Sequence, residues 1–392
     1  MQKITDINVI FLGAGPTALA GIREAGENKF NTYTIGLYPY EVGLYSKYTK
    51  KLGYAHPEKE PEKLLNILNK FYGENPNSTN ILIPTGDESI EFLSKNKEKL
   101  KDRFVYSLLL SDISEIILNK EKFAQICEKY NIPAPKTWTK NTNIPLEEWA
   151  KQVKYPCFIK PVYYHKWAKM FGLKKGFLVN SNKELIETYN NLYNKFSELI
   201  IQEVIPGDDS NIVVFSANFT KDNVEQIFTG RKIRQYPVNF GTTTCAISEN
   251  IEEIKEYSIK LLTSIKYIGV CDVEFKYDYR DNTYKIIEVN ARIGRWYRLV
   301  TKSRKIPLTA SIHYLANTNT KLKETQEKEN IIWLFPIRDI PAILKQENKL
   351  KAIKYYFKRN KVWCIFDKKD PLPFLMYFFE MGYKYIKYKK GK

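Results

Sequence analysis

The stretch Gly269-Val270-Cys271-Asp272-Val273-Glu274-Phe275-Lys276-Tyr277-Asp278-Tyr279-Arg280-Asp281-Asn282-Thr283-Tyr284-Lys285-Ile286-Ile287-Glu288-Val289-Asn290-Ala291-Arg292 decides how this chain is read. Residues 271–275 and 285–290 alternate apolar and polar side chains, and residues 279–283 between them have hairpin-turn chemistry. The pattern predicts two strands that aim Glu274, Glu288 and Asn290 toward one side. Two carboxylates and an amide oxygen are hard oxygen ligands, suited to Mg²⁺ shared with phosphate oxygens and unsuited to zinc or copper. Taken alone, the same hairpin also fits a two-stranded sheet with a solvated acidic face.

Outward from this hairpin, the N-terminal side carries βα units. Residues 7–13 form a buried-type strand that runs into Gly13-Ala14-Gly15-Pro16-Thr17-Ala18 and a helix to about Ala25, an opening of doubly wound type. The glycines fit a G-x-G-x-x-A fingerprint, but the next strand, residues 33–38, lacks the terminal acid that holds a ribose, which argues against NAD. Residues 80–88 repeat the pattern. There Thr85, Asp87 and Glu88 read either as the rim of a small-molecule site at a strand end or as helix caps. A helix over residues 120–130 is stopped by Asn131-Ile132-Pro133-Ala134-Pro135, whose prolines enforce an extended connector. A strand then carries Lys160 out of Tyr155-Pro156-Cys157-Phe158-Ile159-Lys160-Pro161. The loop 162–176 supplies His165, Lys166, Lys169, Lys174 and Lys175, and further strands are expected at 177–179, 199–205, 211–219 and 225–233.

A chain of 392 residues has room for two or three domains. Its five cysteines are scattered without a C-x-x-C pair, so neither a disulfide framework nor a zinc site is expected, and a reducing, cytoplasmic setting is. No apolar run approaches the roughly 18 residues that span a bilayer, and no export leader is expected. The net charge of +18 favours anionic partners without choosing among them, and an AT-rich genome also enriches lysine, asparagine and isoleucine. Residues 331–392 hold fifteen Lys and Arg against five Asp and Glu, mixed with aromatic residues.

Together these segments resemble the ATP-grasp superfamily and, within it, the carboxylate-amine ligases. The motifs occur in family order: Asn119-Lys120-Glu121-Lys122-Phe123, Ile132-Pro133-Ala134-Pro135, Phe158-Ile159-Lys160-Pro161, Gln202-Glu203-Val204-Ile205-Pro206-Gly207, Val273-Glu274-Phe275, and Ile287-Glu288-Val289-Asn290-Ala291-Arg292. The resemblance implies an α/β chain of four parts: a Rossmann-like pre-ATP-grasp domain (1–115), an ATP-grasp N-terminal subdomain (116–200), a C-terminal subdomain with the metal site (201–325), and a basic aromatic extension (326–392). It implies ATP and Mg²⁺ as cofactors, two ions with Mn²⁺ as a substitute, held by Glu274, Glu288 and Asn290. Lys120, Lys160 and Lys175 would meet the phosphates, residues 203–205 (Glu203, Val204, Ile205) the adenine edge, and Asp209 the ribose. Arg292, Arg231 and Lys232 would hold phosphate or acyl phosphate, with Arg234, Arg295 and Arg298 near the same mouth. The loop 162–176 departs from the family in being lysine-rich and aromatic where a glycine-rich lid is usual.

The implied partners are ATP, a small carboxylate such as an amino acid, and an amine acceptor. The basic tail, with Phe374-Leu375-Met376-Tyr377-Phe378-Phe379 and a lysine-tyrosine run, reads either as a helix docked on the ATP-grasp core or as a contact to an anionic membrane surface bearing a lipid-linked precursor, at the inner face. A catalytically silent nucleotide- or polyanion-binding protein is the second reading. Charge alone suggests nucleic acid, but no recognition motif accompanies it, so no specific nucleic acid is expected.

Overall fold

A computed structural model of the chain describes residues 6–390 except 108–112, 141–142, 164–166, 168–169, 172–174, 239–240, 319 and 321. Of the lysine-rich loop, His165, Lys166, Lys169 and Lys174 therefore lie outside the described residues.

The N-terminal strands β1 (Ile7–Leu12), β2 (Asn31–Gly36), β3 (Lys50–Tyr54) and β4 (Thr79–Pro84) form one parallel sheet in the order β3-β2-β1-β4. All six residues of β1 are buried, as expected of a central parallel strand covered on both faces. Helices α1 (Pro16–Glu27), α2 (Pro61–Glu74) and α3 (Asp87–Lys95) connect the strands. Gly13 has φ +116°, and a Cβ there would lie 2.2 Å from the Thr85 hydroxyl, so this turn admits only glycine. Thr85 itself donates to the Leu12 carbonyl at 2.7 Å and is structural. The anion received by this turn is the chain's own Glu41, whose carboxylate accepts from the Ala14 amide at 3.1 Å and the Leu37 amide at 2.6 Å. Burial pushes the Glu41 carboxyl up to about 7.

Helix α4 (Lys120–Lys129) is capped by Asn119, which accepts from the amides of Glu121 and Lys122. Beyond it, β5 (Thr137–Trp138), β6 (Cys157–Pro161), β7 (Phe177–Val179) and β8 (Leu199–Glu203) form an antiparallel sheet in the order β5-β8-β6-β7, backed by α5 (Asn182–Tyr193). This sheet has its own small core, built on Trp149, Trp167, Leu185 and Ile201.

The third sheet has seven strands: β9 (Ile212–Phe219), β10 (Val224–Tyr236), β11 (Thr242–Ser248), β12 (Gly269–Asp278), β13 (Thr283–Asn290), β14 (Ile332–Leu334) and β15 (Lys361–Trp363), in the order β13-β12-β9-β10-β11-β14-β15. Every residue of β9 is buried. One face, with Val213, Phe215 and Phe219, shares a core with Ile10 and Leu12 of the first sheet and with α6 (Glu252–Ser264). The other face packs against α1, α7 (Tyr297–Lys302) and α8 (Pro307–Leu315).

The basic C-terminal segment is not a separate appendage. It supplies two strands of the large sheet, with β14 antiparallel to β11 and β15 parallel to β14, with α9 (Pro336–Leu344) between them and α10 (Leu372–Lys390) after them. Its closing helix α10 docks against the N-terminal segment 38–45 and, through Tyr377 and Phe374, on the core that holds Trp333 and Val362 of the large sheet, as the docked-helix reading expected. Glu380 accepts from the Tyr38 hydroxyl at 2.7 Å and the Val42 amide at 3.2 Å, and Tyr383 stacks on Tyr38. The turn before α10 holds a buried ion pair: Asp370 accepts from Arg23 at 2.9 Å, from the Ser46 hydroxyl at 2.8 Å and from the Lys47 amide at 2.9 Å.

Candidate active site

The β12–β13 hairpin pairs Glu274 directly with Glu288 and Asp272 with Asn290. A bulge beyond Glu274 inserts Ile287, and strand alternation then puts Asp272, Glu274, Glu288 and Asn290 in one row on one face. The Asn290 amide donates to Glu288 at 3.1 Å, and Lys232 reaches across β9 to donate to Glu274 at 2.7 Å. The hairpin is clamped at its far end by Asp278, which accepts from Arg280 and Lys285.

Asp272 was not singled out by the sequence reading, although it lies two residues before Glu274 on the same face. It is buried, accepts from the Trp296 indole at 3.2 Å, and its Oδ1 has no hydrogen-bond partner among the described residues. Burial pushes its carboxyl up to about 7, with the Glu274 charge adding to the effect. Among the described residues no three His, Cys, Asp or Glu side chains gather as a preformed cage. Such a site suits Mg²⁺, which takes one or two protein carboxylates and completes its shell with water and phosphate oxygens. The oxygen-only row and the orphaned Asp272 oxygen beside it fit that ion.

Four lysines surround Glu288. Lys120 opens α4, and its amide donates to the Val162 carbonyl at 3.3 Å. Lys160 leaves β6 half-buried and donates to Gln202 at 2.7 Å. Burial, reinforced by the neighbouring Lys120 and Lys175 charges, pulls the Lys160 ammonium down to about 7, against the attraction of Glu288. Burial would raise Glu288, but Lys175, Lys120, the Asn290 hydrogen bond and Lys232 together hold its carboxyl down at about 2. The lysines around Glu288 and Glu274 thus leave the centre with an excess of positive charge, an arrangement suited to a polyanion.

A narrow slot continues from Lys120, Lys160 and Glu288 between the two antiparallel sheets. Phe123, Pro135, Gln202 and Ile287 line it. Phe123, Gln202 and Ile287 belong to the quoted motifs but had no assigned role. Glu203, at the exit of β8, is engaged by Arg280 at 2.6 Å and by the Lys136 amide at 3.1 Å, and the chain continues through Val204 to the buried Ile205. A wider cavity of ≈ 600 Å³ lies elsewhere, lined by Glu252, Glu256, Glu324, Glu327 and Glu329 with Lys255 and Lys305, and shares no residue with this slot.

Several expected site residues are committed elsewhere. Asp209 is buried with its carboxylate accepting from the Gln235 amide at 2.8 Å and side chain at 2.9 Å, so it braces β10 where a ribose contact was expected. Arg231 points to the opposite face from Lys232, as alternation demands, and forks onto Glu249 at 2.7 and 2.6 Å. Arg234 is locked on Asp339, and Arg298 on Glu27 and Asp367. Arg292 stays with the site: it is an electrostatic neighbour of Glu288 and donates to Asp87 at 3.1 and 3.2 Å. Asp87 opens α3 while the Ser89 hydroxyl, not Asp87, satisfies the Thr85 and Gly86 amides. Glu88 lies beside it, half-buried. Arg295 reaches the Thr242 hydroxyl at 3.0 Å, as does Arg338 at 2.9 Å. No local signal in the sequence marks Arg338.

Residues 119–325, more than half of the chain, match the family described as carbamoyl-phosphate synthase L chain, ATP binding domain. The chain is 28% identical over 257 residues to a D-aspartate ligase of Enterococcus faecium, a match covering 62% of this chain and 61% of that protein's length. Among solved structures it resembles the biotin carboxylase domain of a Hydrogenobacter thermophilus 2-oxoglutarate carboxylase bound to MgADP, ADP and bicarbonate (TM-score 0.63, 17% identity, 83% of this chain and 73% of that one). It also resembles an L-amino acid ligase of Bacillus licheniformis (TM-score 0.57, 16% identity, 81% and 75%). With the carboxylate row, the ring of lysines and the strand order already in place, the chain belongs to the ATP-grasp superfamily, with an ATP-binding domain of the carbamoyl-phosphate synthase L-chain type at residues 119–325.

Proposed function

We propose that the protein is an ATP-dependent carboxylate-amine ligase. A substrate carboxylate oxygen attacks the γ-phosphorus of ATP and ADP leaves; an amine then attacks the acyl carbon of the resulting acyl phosphate, loses a proton and expels inorganic phosphate, giving an amide. The observation that carries the reading is Glu274, Glu288 and Asn290 in one row beneath Lys120, Lys160, Lys175 and Lys232. Mg²⁺ held by that row, as one ion or two and replaceable by Mn²⁺, would neutralise phosphate oxygens as a Lewis acid. Lys120 and Lys160, on rigid elements, bind and orient the phosphates, and Lys175 adds charge from the loop. Lys232 tethers Glu274, and Arg292, braced by Asp87, presents a guanidinium to the transferred phosphoryl group.

Phe123, Pro135 and Ile287 supply apolar walls for the adenine, with residues 203–205 at its edge. The test is Mg²⁺-dependent ADP release with hydroxylamine as surrogate amine, screened over D- and L-amino acids and other small acids. Hydroxamate in one pool is the expected result. ATP binding without hydroxamate in any pool, including cell-envelope precursors, would favour a silent nucleotide-binding protein.

The site works on the cytoplasmic side in this reading, and α10 brings it to an anionic lipid surface. Among the described residues no helix is long and apolar enough to cross a membrane. Helix α10 docks through Tyr377 and Glu380, while Leu375, Phe378, Phe379 and Ile386 on its opposite side are more than half exposed. Apolar residues exposed this way beside lysines favour anionic lipid, whereas a second copy of this basic chain would be repelled. The double variant Leu375→Ser/Phe379→Ser alters only exposed positions and is expected to lose co-sedimentation with phosphatidylglycerol vesicles. Equal sedimentation of variant and wild type would remove the membrane from the proposal.

A further inference from the structure

The large apolar side chains left in solvent are not scattered evenly. Leu350 and Phe357, 85% and 80% exposed, are the two most exposed among the described residues, and Ile340, Leu344 and Ile353 lie exposed in the same stretch. Leu350, Ile353 and Phe357 recur at a spacing of three and four along a short helix (Lys349–Ile353) and the 3₁₀ turn that continues it (Lys354–Phe357), so they share the outer face. Helix α9 contacts this segment and adds Ile340 and Leu344, one turn apart. The inner face is fixed. Ala352 is buried, the Tyr356 hydroxyl donates to Asp339 at 3.0 Å, and Arg234 lies 5.3 Å from the centre of the Tyr355 ring. Asp339, itself fully buried, holds Arg234 in turn. The apolar knob is thereby pinned to β10, the strand that carries Lys232.

Cations ring the knob. Residues 340–359 hold six Lys and Arg against one acid, Glu347. Lys345, Lys349, Lys351, Lys354, Lys358 and Arg359 are all exposed, and none is ion-paired among the described residues. Single exposed apolar side chains are ordinary, whereas a cluster marks a contact. The chemistry selects the partner. A second copy of the chain carries +18 and is repelled. Single-stranded nucleic acid would meet the lysines but stacks on rings, and of the five exposed apolar side chains only Phe357 has one. A protein partner would need a pocket for each protruding side chain. A lipid interface accepts protruding Leu and Phe without one, and its anionic headgroups answer the lysines.

We propose that residues 340–359 form an insertion surface for anionic lipid, a contact separate from α10. One weak anchor gives marginal, reversible attachment and stable attachment takes two, so the knob and α10 act together. Because the knob is pinned to β10, attachment holds the carboxylate row in a set orientation to the lipid. The inference goes beyond the ligase reading and does not depend on it, since vesicle binding requires neither nucleotide nor acid.

The test is co-sedimentation of the full chain with phosphatidylglycerol vesicles and with phosphatidylcholine vesicles. Wild type is expected to bind the first and not the second. Leu350→Ser/Phe357→Ser changes only exposed positions and should weaken partitioning at least about 30-fold. Lys349→Gln/Lys351→Gln/Lys358→Gln should weaken it on the order of 100-fold, about five-fold per lysine. All five native cysteines are buried, so an environment-sensitive label on Phe357→Cys reports insertion at the knob, and its emission should shift to the blue on phosphatidylglycerol. Wild-type partitioning in either multiple variant, an unshifted label, or equal binding to phosphatidylcholine would overturn the proposal. Loss of binding in Leu375→Ser/Phe379→Ser with full binding in Leu350→Ser/Phe357→Ser would overturn it and leave α10 as the contact. Tighter binding of a single-stranded oligonucleotide than of phosphatidylglycerol, lost in Leu350→Ser/Phe357→Ser, would overturn it in favour of nucleic acid.

Discussion

Glu288→Gln is expected to lower Mg²⁺-dependent ADP release by on the order of 10³-fold, with the fold intact. The substitution keeps the shape and removes a charge that Lys175, Lys120 and Lys232 hold ionised, and loss of a Lewis-acid anchor is worth several kcal/mol at the transition state. The direction of the binding effect should be opposite. With its carboxylate gone the surrounding field becomes more positive, so metal-free ATP should bind at least as well as in wild type. A drop in turnover with retained nucleotide affinity separates a metal-holding role from a structural one. Turnover near wild type would refute the assignment of Glu288, and a parallel loss of ATP binding would mean that the carboxylate orders the site and does not serve the metal.

The second large effect concerns stability. Asp370→Ala is expected to cost about 3–5 kcal/mol, the usual consequence of stranding one member of a buried pair. Arg23 and Asp370 are 1% and 2% exposed, and Arg23 Nη1 already lacks a hydrogen-bond partner among the described residues. Removing the carboxylate also strips the Ser46 hydroxyl and the Lys47 amide of their acceptor. Urea denaturation followed by tryptophan fluorescence should show the midpoint falling, while nucleotide affinity at low denaturant changes little, since no residue of the pair touches the carboxylate row. An unchanged midpoint would show that the C-terminal segment adds nothing to the stability of the N-terminal sheet.

How far the site was legible follows from the range of the forces involved. Glu274, Glu288 and Asn290 could be aimed from sequence because strand alternation is local, and the same rule, carried two residues further, would have included Asp272. Lys160 and Lys120 were legible because a strand end and a capped helix start determine where a side chain leaves the backbone. Arg231 and Lys232 show the limit. Their strand was correctly expected, yet adjacent residues face opposite ways, and only the register of β10 against β9 and β12 decides that Lys232 meets Glu274 while Arg231 meets Glu249.

The sequence by itself determined the parallel N-terminal units, the carboxylate hairpin, the lysine-bearing strand and the order of the motifs, because periodicity, turn chemistry and capping act within a few residues. Only the tertiary structure decided which charge answers which. Arg292 meets Asp87 across 205 residues and Arg23 meets Asp370 across 347, while Arg295 and Arg338 come together on the Thr242 hydroxyl with no salt-bridged acid among the described residues. An arginine looks the same in a sequence whether its partner is a carboxylate of the chain or of a substrate. Burial makes the difference: in a low-dielectric interior an unanswered charge is costly, and where the chain leaves one unanswered, a ligand of opposite charge is the remaining way to satisfy it.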